Sequence, residues 1–187
     1  MSDETAGAAP WQVLDKHTVY TSEWINVEQW AVRPPDGGVI PDYHVLDYAY
    51  PAVGVVAVGD DGRVLLIDHY RFITGTRGWE VPAGRMEAGE SVEETAAREL
   101  LEETGHLAMR WTVLGKYHPS NGSSNQVFHL MVARGLSRRS EPLDRNETLG
   151  LQWFTPAEVR ELIRLNAILD GLTLTALGWA LTVGVVG

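Results

Sequence analysis

The 187-residue chain contains no cysteine. Disulfides and thiolate metal sites are therefore excluded. Basic residues are scarce, 15 against 25 acids, which leaves a net charge of −10. Binding a nucleic-acid backbone needs a basic footprint, so the charge argues against that partner class. A small phosphate-bearing substrate is not excluded, because a bound cation inverts the local field. Long apolar runs are also missing. A spanning helix takes about 20 predominantly apolar residues. The nearest stretch, Leu169 to Val186, contains Asp170, three threonines and three glycines, with no basic cluster beside it. It reads as a buried C-terminal helix, a membrane span being the lesser alternative. Residues 1–10 are small and polar, without the charged start and apolar core of a signal peptide, and read as a disordered tail. These absences suit a cytoplasmic protein with no membrane partner.

What is present divides into regions. Residues 11–48 carry short aromatic and β-branched runs, such as His17–Tyr20 and Trp24–Trp30, around a Pro34-Pro-Asp-Gly-Gly38 turn signal. They predict a small antiparallel sheet. A few strands alone are marginal in water, so the sheet should pack on the main domain or on a second subunit. Residues 49–187 form the main α/β domain. Ala52–Val58 is the near-continuous apolar run of a strand buried on both faces. Asp60-Asp-Gly62 turns it into Arg63–Ile67 as a hairpin. A loop from Gly75 to Gly89 then leads into a helix. Further strands are expected near Trp111–Tyr117, Val127–Ala133 and Leu149–Phe154. Thr155, Pro156 and Glu158 signal a helix start, and a last helix should cover about Leu172–Val183.

The segment Gly84–His106 is the most informative. Ser91 with Glu94 forms a capping box, so a helix should begin at Val92, and Gly105 should close it after Thr104. At about 100° per residue, Glu99, Glu102 and Glu103 share one edge of that helix. Ala96, Ala97, Leu100 and Leu101 fill the neighbouring arc, toward the core. Like charges at this spacing destabilise a helix. Either the acids are a solvated face, or a cation compensates them. Hard cations such as Mg²⁺ take a few carboxylates together with substrate phosphates.

The spacing decides between these. Gly84, Glu90, Arg98-Glu99-Leu100, Glu102-Glu103 and Gly105 fit G-x5-E-x7-R-E-U-x-E-E-x-G-U, and the segment resembles the Nudix box. Only the final position departs, with His106 where an aliphatic residue is usual. The resemblance implies an α/β/α sandwich around a mixed sheet, with the small N-terminal antiparallel region appended. It implies Glu99, Glu103 and the Ala83 carbonyl as metal ligands. Glu102 would be a further ligand or the base that activates water, Arg98 would orient a carboxylate, and Glu90 would be an ion-pair partner. The cofactor implied is Mg²⁺, with Mn²⁺ as a substitute.

Tyr70-Arg71, the Trp79–Gly84 run, Pro119 and the β-rich N-terminus resemble the ADP-ribose and nucleoside diphosphate sugar pyrophosphatase branch. That branch implies a homodimer and a small nucleoside diphosphate derivative as substrate, with Arg71, Glu80, Pro119 and Ser120 as binding residues. Arg71 reads either as a diphosphate clamp or as a surface ion pair. Glu80 either serves the site or caps a strand end, and Trp79 fills the core, stacking on a base being the lesser alternative. His69, His118 and His129 carry no ligand spacing. The loop Ser120–Gln126 lacks the glutamate that often serves as base in this branch, so the base falls to Glu102, or to Glu147 from elsewhere. The expected reaction is metal-dependent hydrolysis of ADP-ribose or a related sugar to a nucleoside monophosphate and a sugar phosphate. The alternatives are another substrate, such as a dinucleoside polyphosphate or a dinucleotide coenzyme, or a non-catalytic nucleotide sensor.

Overall fold

The computed structural model describes residues 10–143 and 148–187. The expected tail, but for Pro10, and Glu147 lie outside the described residues. The chain separates into two compact units.

The first unit joins the described residues up to Ala49 with Ser120–Gln126. Its antiparallel sheet runs β1 (Gln12–Thr21), β2 (Asn26–Arg33) and β3 (Ile40–Asp47), in that order. The segment Ser120–Gln126 is sewn to β3 and the residue after it. The Leu46 amide donates to the Ser123 carbonyl at 2.8 Å. The Asn125 side chain accepts from the Tyr48 amide at 2.7 Å and donates to Asp47 Oδ1 at 2.6 Å.

The second unit spans Tyr50–Pro119 and Val127–Gly187. Its strands are β4 (Ala52–Val58), β5 (Val64–Arg71), β6 (Thr76–Glu80), β7 (Ala83–Arg85), β8 (His106–Leu107), β9 (Arg110–Tyr117), β10 (Phe128–Arg134), β11 (Ser137–Arg138) and β12 (Gly150–Phe154). Its helices are α1 (Val92–Thr104), α2 (Pro156–Arg164) and α3 (Gly171–Thr182). The main sheet has the order β12-β5-β4-β10-β9, with β6 added to β5 and β7 to β4. The sheet is mixed, since β4 and β10 run parallel and the other pairs antiparallel.

The alternation of β4 builds both layers. Val53, Val55 and Ala57 pack with Ala96 and Leu100 of α1. Val56 and Val58 pack with Val159 of α2 and with Leu172, Ala176 and Leu177 of α3. A strand covered on both faces has no polar side to show, hence its continuous apolar run. The result is the expected α/β/α sandwich. No helix among the described residues is long and apolar enough to cross a membrane.

All three helix starts are capped by side chains: Ser91 with Glu94, Thr155 with Glu158, and Asp170 on Thr173. The stretch expected to be a loop, Gly75–Gly89, departs from expectation. It holds two short strands, β6 and β7, separated at Pro82, which cannot donate to a ladder. β6 continues the hairpin begun by β5, and Trp79 packs edge-on against Phe154 with ring centroids 5.1 Å apart. Trp79 is partly buried and packs against the core, the favoured of its two readings.

Candidate active site

The box helix α1 is set against β7 by its own acids. Glu103 is 3 % exposed, and its Oε2 accepts the Ala83 amide at 2.8 Å. The Glu99 carboxylate lies directly over Gly84, where any Cβ would come within 3 Å of it. Two carboxylates therefore rest on two successive backbone units, and a residue larger than glycine would displace one of them.

Arg98 organises the remainder. Its Nε donates to Glu90 Oε1 at 2.8 Å, and its Nη2 to Glu90 Oε2 and the Arg85 carbonyl, both at 3.0 Å. Its Nη1 donates to Glu99 Oε1 at 2.7 Å and to Glu102 Oε2 at 3.2 Å. A guanidinium has five N–H donors, and each has a partner here. One rigid fork thus fixes Glu99 and Glu102 relative to each other and to the loop carbonyl of Arg85.

Glu90 serves the fork. Besides Arg98 it accepts the Glu87 amide at 2.9 Å and the Thr95 hydroxyl at 2.8 Å. The Arg98 bonds, then the Glu87 amide, hold its carboxyl down at about 2 against the opposing effect of burial. The guanidinium is raised in turn, chiefly by Glu90.

The far end of α1 is tied by backbone and hydroxyl donors. Leu143 donates its amide to the Glu102 carbonyl at 2.7 Å, and the Thr148 hydroxyl donates to the Glu103 carbonyl at 3.0 Å. Gly105 takes the left-handed conformation, φ 71°, beside the Ser140 carbonyl, which a side chain would strike. His106, the departure from the box, is buried. Its Nδ1–H donates to the Thr104 carbonyl at 2.9 Å, and its ring meets Trp153 edge-on. Burial pushes its pKa down, so the imidazole fills the packing role of the usual aliphatic residue.

Arg71 and Glu80 form a second charged element. Arg71 donates to the buried Glu80 carboxylate from Nε at 3.1 and 3.2 Å and from Nη2 at 2.6 Å. Burial works to lower the pKa of Arg71. The Glu80 bonds, followed by the charges of Glu80, Asp170 and Glu103, more than offset that. Arg71 therefore senses the box helix while its side chain stays 45 % exposed. His69 lies behind, its Nδ1 3.9 Å from Glu80 Oε2, beyond hydrogen-bonding distance.

Hydrogen bonds and shared charges thus bring together Arg71, Glu80, Ala83, Arg98, Glu99, Glu102 and Glu103. Pro119 and Ser120 stand outside this set. Both are exposed, and the Ser120 hydroxyl bonds Ser123 at 2.7 Å while its carbonyl closes the local turn. Thr95, Thr148 and Asp170 were not singled out by sequence. Thr95 alone carried a signal, lying within the box five residues after Glu90.

Among the described residues no group of three or more acidic or histidine side chains converges as a ready metal-binding set. The donor set still fits a hard cation. Glu99 and Glu102 share one arginine whose charge Glu90 also claims, Glu103 rests on the Ala83 amide, and Mg²⁺ keeps waters and substrate phosphates in its coordination sphere.

Comparison with known proteins agrees. A family model described as the NUDIX domain matches residues 49–173. The chain is 30 % identical over 166 residues to an ADP-ribose pyrophosphatase of Mycobacterium tuberculosis, covering 87 % of this chain and 79 % of that protein. It is 33 % identical over 128 residues to an ADP-ribose pyrophosphatase of Bacillus subtilis, covering 67 % and 69 %. A solved structure described as an ADP compounds hydrolase superposes with a TM-score of 0.82 at 26 % identity, over 93 % of this chain and 94 % of that one. With its box helix, its mixed sheet and these relatives, the chain belongs to the Nudix family and is a Nudix hydrolase.

Proposed function

We propose that the protein hydrolyses the diphosphate linkage of ADP-ribose or a related nucleoside diphosphate sugar, releasing a nucleoside monophosphate and a sugar phosphate. The observation that carries this reading is the Arg98 fork, which holds Glu99 and Glu102 beside the Glu103–Ala83 contact. The substrate class is supported by the two ADP-ribose pyrophosphatases among the relatives.

Glu99, Glu103 and the Ala83 carbonyl, with Glu102, would hold Mg²⁺, for which Mn²⁺ can substitute. Bound there, such a cation would supply charge neutralisation of the diphosphate and a lowered pKa for water. The chain's own groups do the rest. Arg71, half exposed and beside Glu80, meets phosphate oxygens with its guanidinium. Glu99 and Glu103 are buried, whereas the Glu102 side chain is 41 % exposed and reachable by water. Glu102 takes a proton from that water as its oxygen bonds to phosphorus, and the bridging P–O bond breaks toward the other phosphate.

A panel of nucleoside diphosphate derivatives with Mg²⁺, resolved by chromatography, tests this. ADP-ribose should yield AMP and ribose 5-phosphate; release from no member would sink the substrate reading. On the best substrate, Glu102→Gln should lower kcat by about 10²–10⁴-fold. An unchanged kcat would move the base elsewhere.

The first unit supports a homodimer. β1 is exposed along its whole length, and Trp11 and Trp24 are 58 % and 60 % exposed. A bare edge strand beside exposed aromatics invites a partner. The mass in solution should be twice that of the chain, and a monomer at micromolar concentration would refute this.

A further inference from the structure

The β5–β6 hairpin and the start of α3 enclose a cavity of about 420 Å³, a size typical of small-molecule sites. Arg71, Trp79 and Glu80 of the hairpin line it together with Asp170 and Gly171. The chemistry proposed above uses only Arg71 of these.

Asp170 caps α3 with one oxygen. Its Oδ2 accepts both the amide and the hydroxyl of Thr173, each at 2.7 Å. Among the described residues its Oδ1 accepts no hydrogen bond, and Arg71 Nη1 donates none. The cavity is thus lined by a carboxylate and a guanidinium that each keep one atom without a hydrogen bond. The Asp170 charge contributes to raising the Arg71 pKa, so the two lie within electrostatic reach.

The cavity is also held in register with the carboxylates. The Thr173 hydroxyl accepts the Val81 amide at 3.1 Å, which pins the α3 cap to the residue following Glu80. Two residues further on is Ala83, which donates to Glu103. Three residues of chain span at most about 10 Å. A substrate whose diphosphate lies on the box helix thus has the cavity, lined by Arg71, within reach of one of its halves.

The wall chemistry says which half. A sugar hydroxyl both donates and accepts, so neighbouring hydroxyls match a carboxylate oxygen and a guanidinium N–H. Trp79 is committed edge-on to Phe154 at an interplanar angle of 65°, and no second aromatic side chain among the described residues lines the cavity to sandwich a base. We propose that this cavity takes the sugar half of the substrate, and that Asp170 Oδ1 together with Arg71 reads its hydroxyls. This makes Asp170 a specificity-determining residue, and it rests on the nucleoside diphosphate sugar reading.

Asp170→Asn tests it, because asparagine caps a helix as well as aspartate does and the fold should hold. Wild type and variant are titrated calorimetrically with ribose 5-phosphate and, separately, with AMP. The variant should bind ribose 5-phosphate at least about tenfold more weakly, the loss of a hydrogen bond to a charged group, and AMP unchanged. Weakening of AMP alone would give the cavity to the nucleoside half and overturn the assignment. Equal weakening of both, no change in either, or a wild type that ignores ribose 5-phosphate would overturn it as well. The titrations need no turnover. A failed substrate panel beside an intact ribose 5-phosphate difference would therefore remove the reaction and leave the cavity assigned.

Discussion

Glu103→Gln should lower kcat/KM by on the order of 10³-fold at fixed Mg²⁺, comparable to removing a preorganised electrostatic group from an active site. It should leave folding nearly untouched. The amide is isosteric, and its remaining oxygen still accepts the Ala83 N–H that Glu103 Oε2 now takes at 2.8 Å. What disappears is one negative charge at a position only 3 % exposed, where water cannot replace it. The shortfall should appear first as weaker cation affinity. Activity should saturate only at much higher Mg²⁺, and Mn²⁺ binding read by electron paramagnetic resonance should weaken in parallel. A Glu103→Gln protein with full activity and an unshifted metal titration would refute the assignment of Glu103 as a ligand.

Local signals made α1 legible in the sequence. A capping box and a left-handed glycine are decided by neighbouring residues, and both ends of the helix fall where Ser91 and Gly105 place them. The two-faced burial of β4 was legible for the same reason, since a central strand admits no polar residue on either face. Strands β6 and β7 were not. Glycines and Pro82 resemble loop chemistry, and only pairing with β5 and β4 makes those residues strands. Within the site, the spacing identified which acids matter but not how they are held. Arg98 was legible as a partner of one carboxylate, whereas the folded chain has it grip three glutamates and a carbonyl. Of the two readings of Arg71, the fold shows the ion pair, with Glu80, and leaves one guanidinium nitrogen without a hydrogen bond. The Thr173–Val81 bond joins residues 92 apart. No local pattern encodes such a contact, so the part Asp170 plays emerges only from the fold.

Gly84→Ala separates the two demands, stability and function, that meet at β7. Gly84 is the first residue of the box, and its backbone is not in the left-handed region, so no conformational argument requires glycine there. The requirement is spatial. A Cβ at this position would lie within 3 Å of Glu99 Cδ and both its oxygens. Something must then move, and the mobile party is the end of the Glu99 side chain, since β7 is paired to the buried β4. Moving a side-chain tip is mild for the fold, and the stability loss should be about 1–2 kcal/mol, at the lower end for overpacking. For chemistry it is severe. The carboxylate must leave Arg98 Nη1, now at 2.7 Å, and a misplacement of about 1 Å at a reacting centre can cost 10²-fold. Activity should therefore fall about 10²-fold or more while thermal unfolding shifts only slightly. Shortening the acid should restore part of the space, so Gly84→Ala with Glu99→Asp should lose less than the product of the single losses, the non-additivity expected of two residues in contact. Strict multiplication of the two losses, or a Gly84→Ala protein with wild-type turnover, would mean that the carboxylate does not rest on Gly84 in the active enzyme.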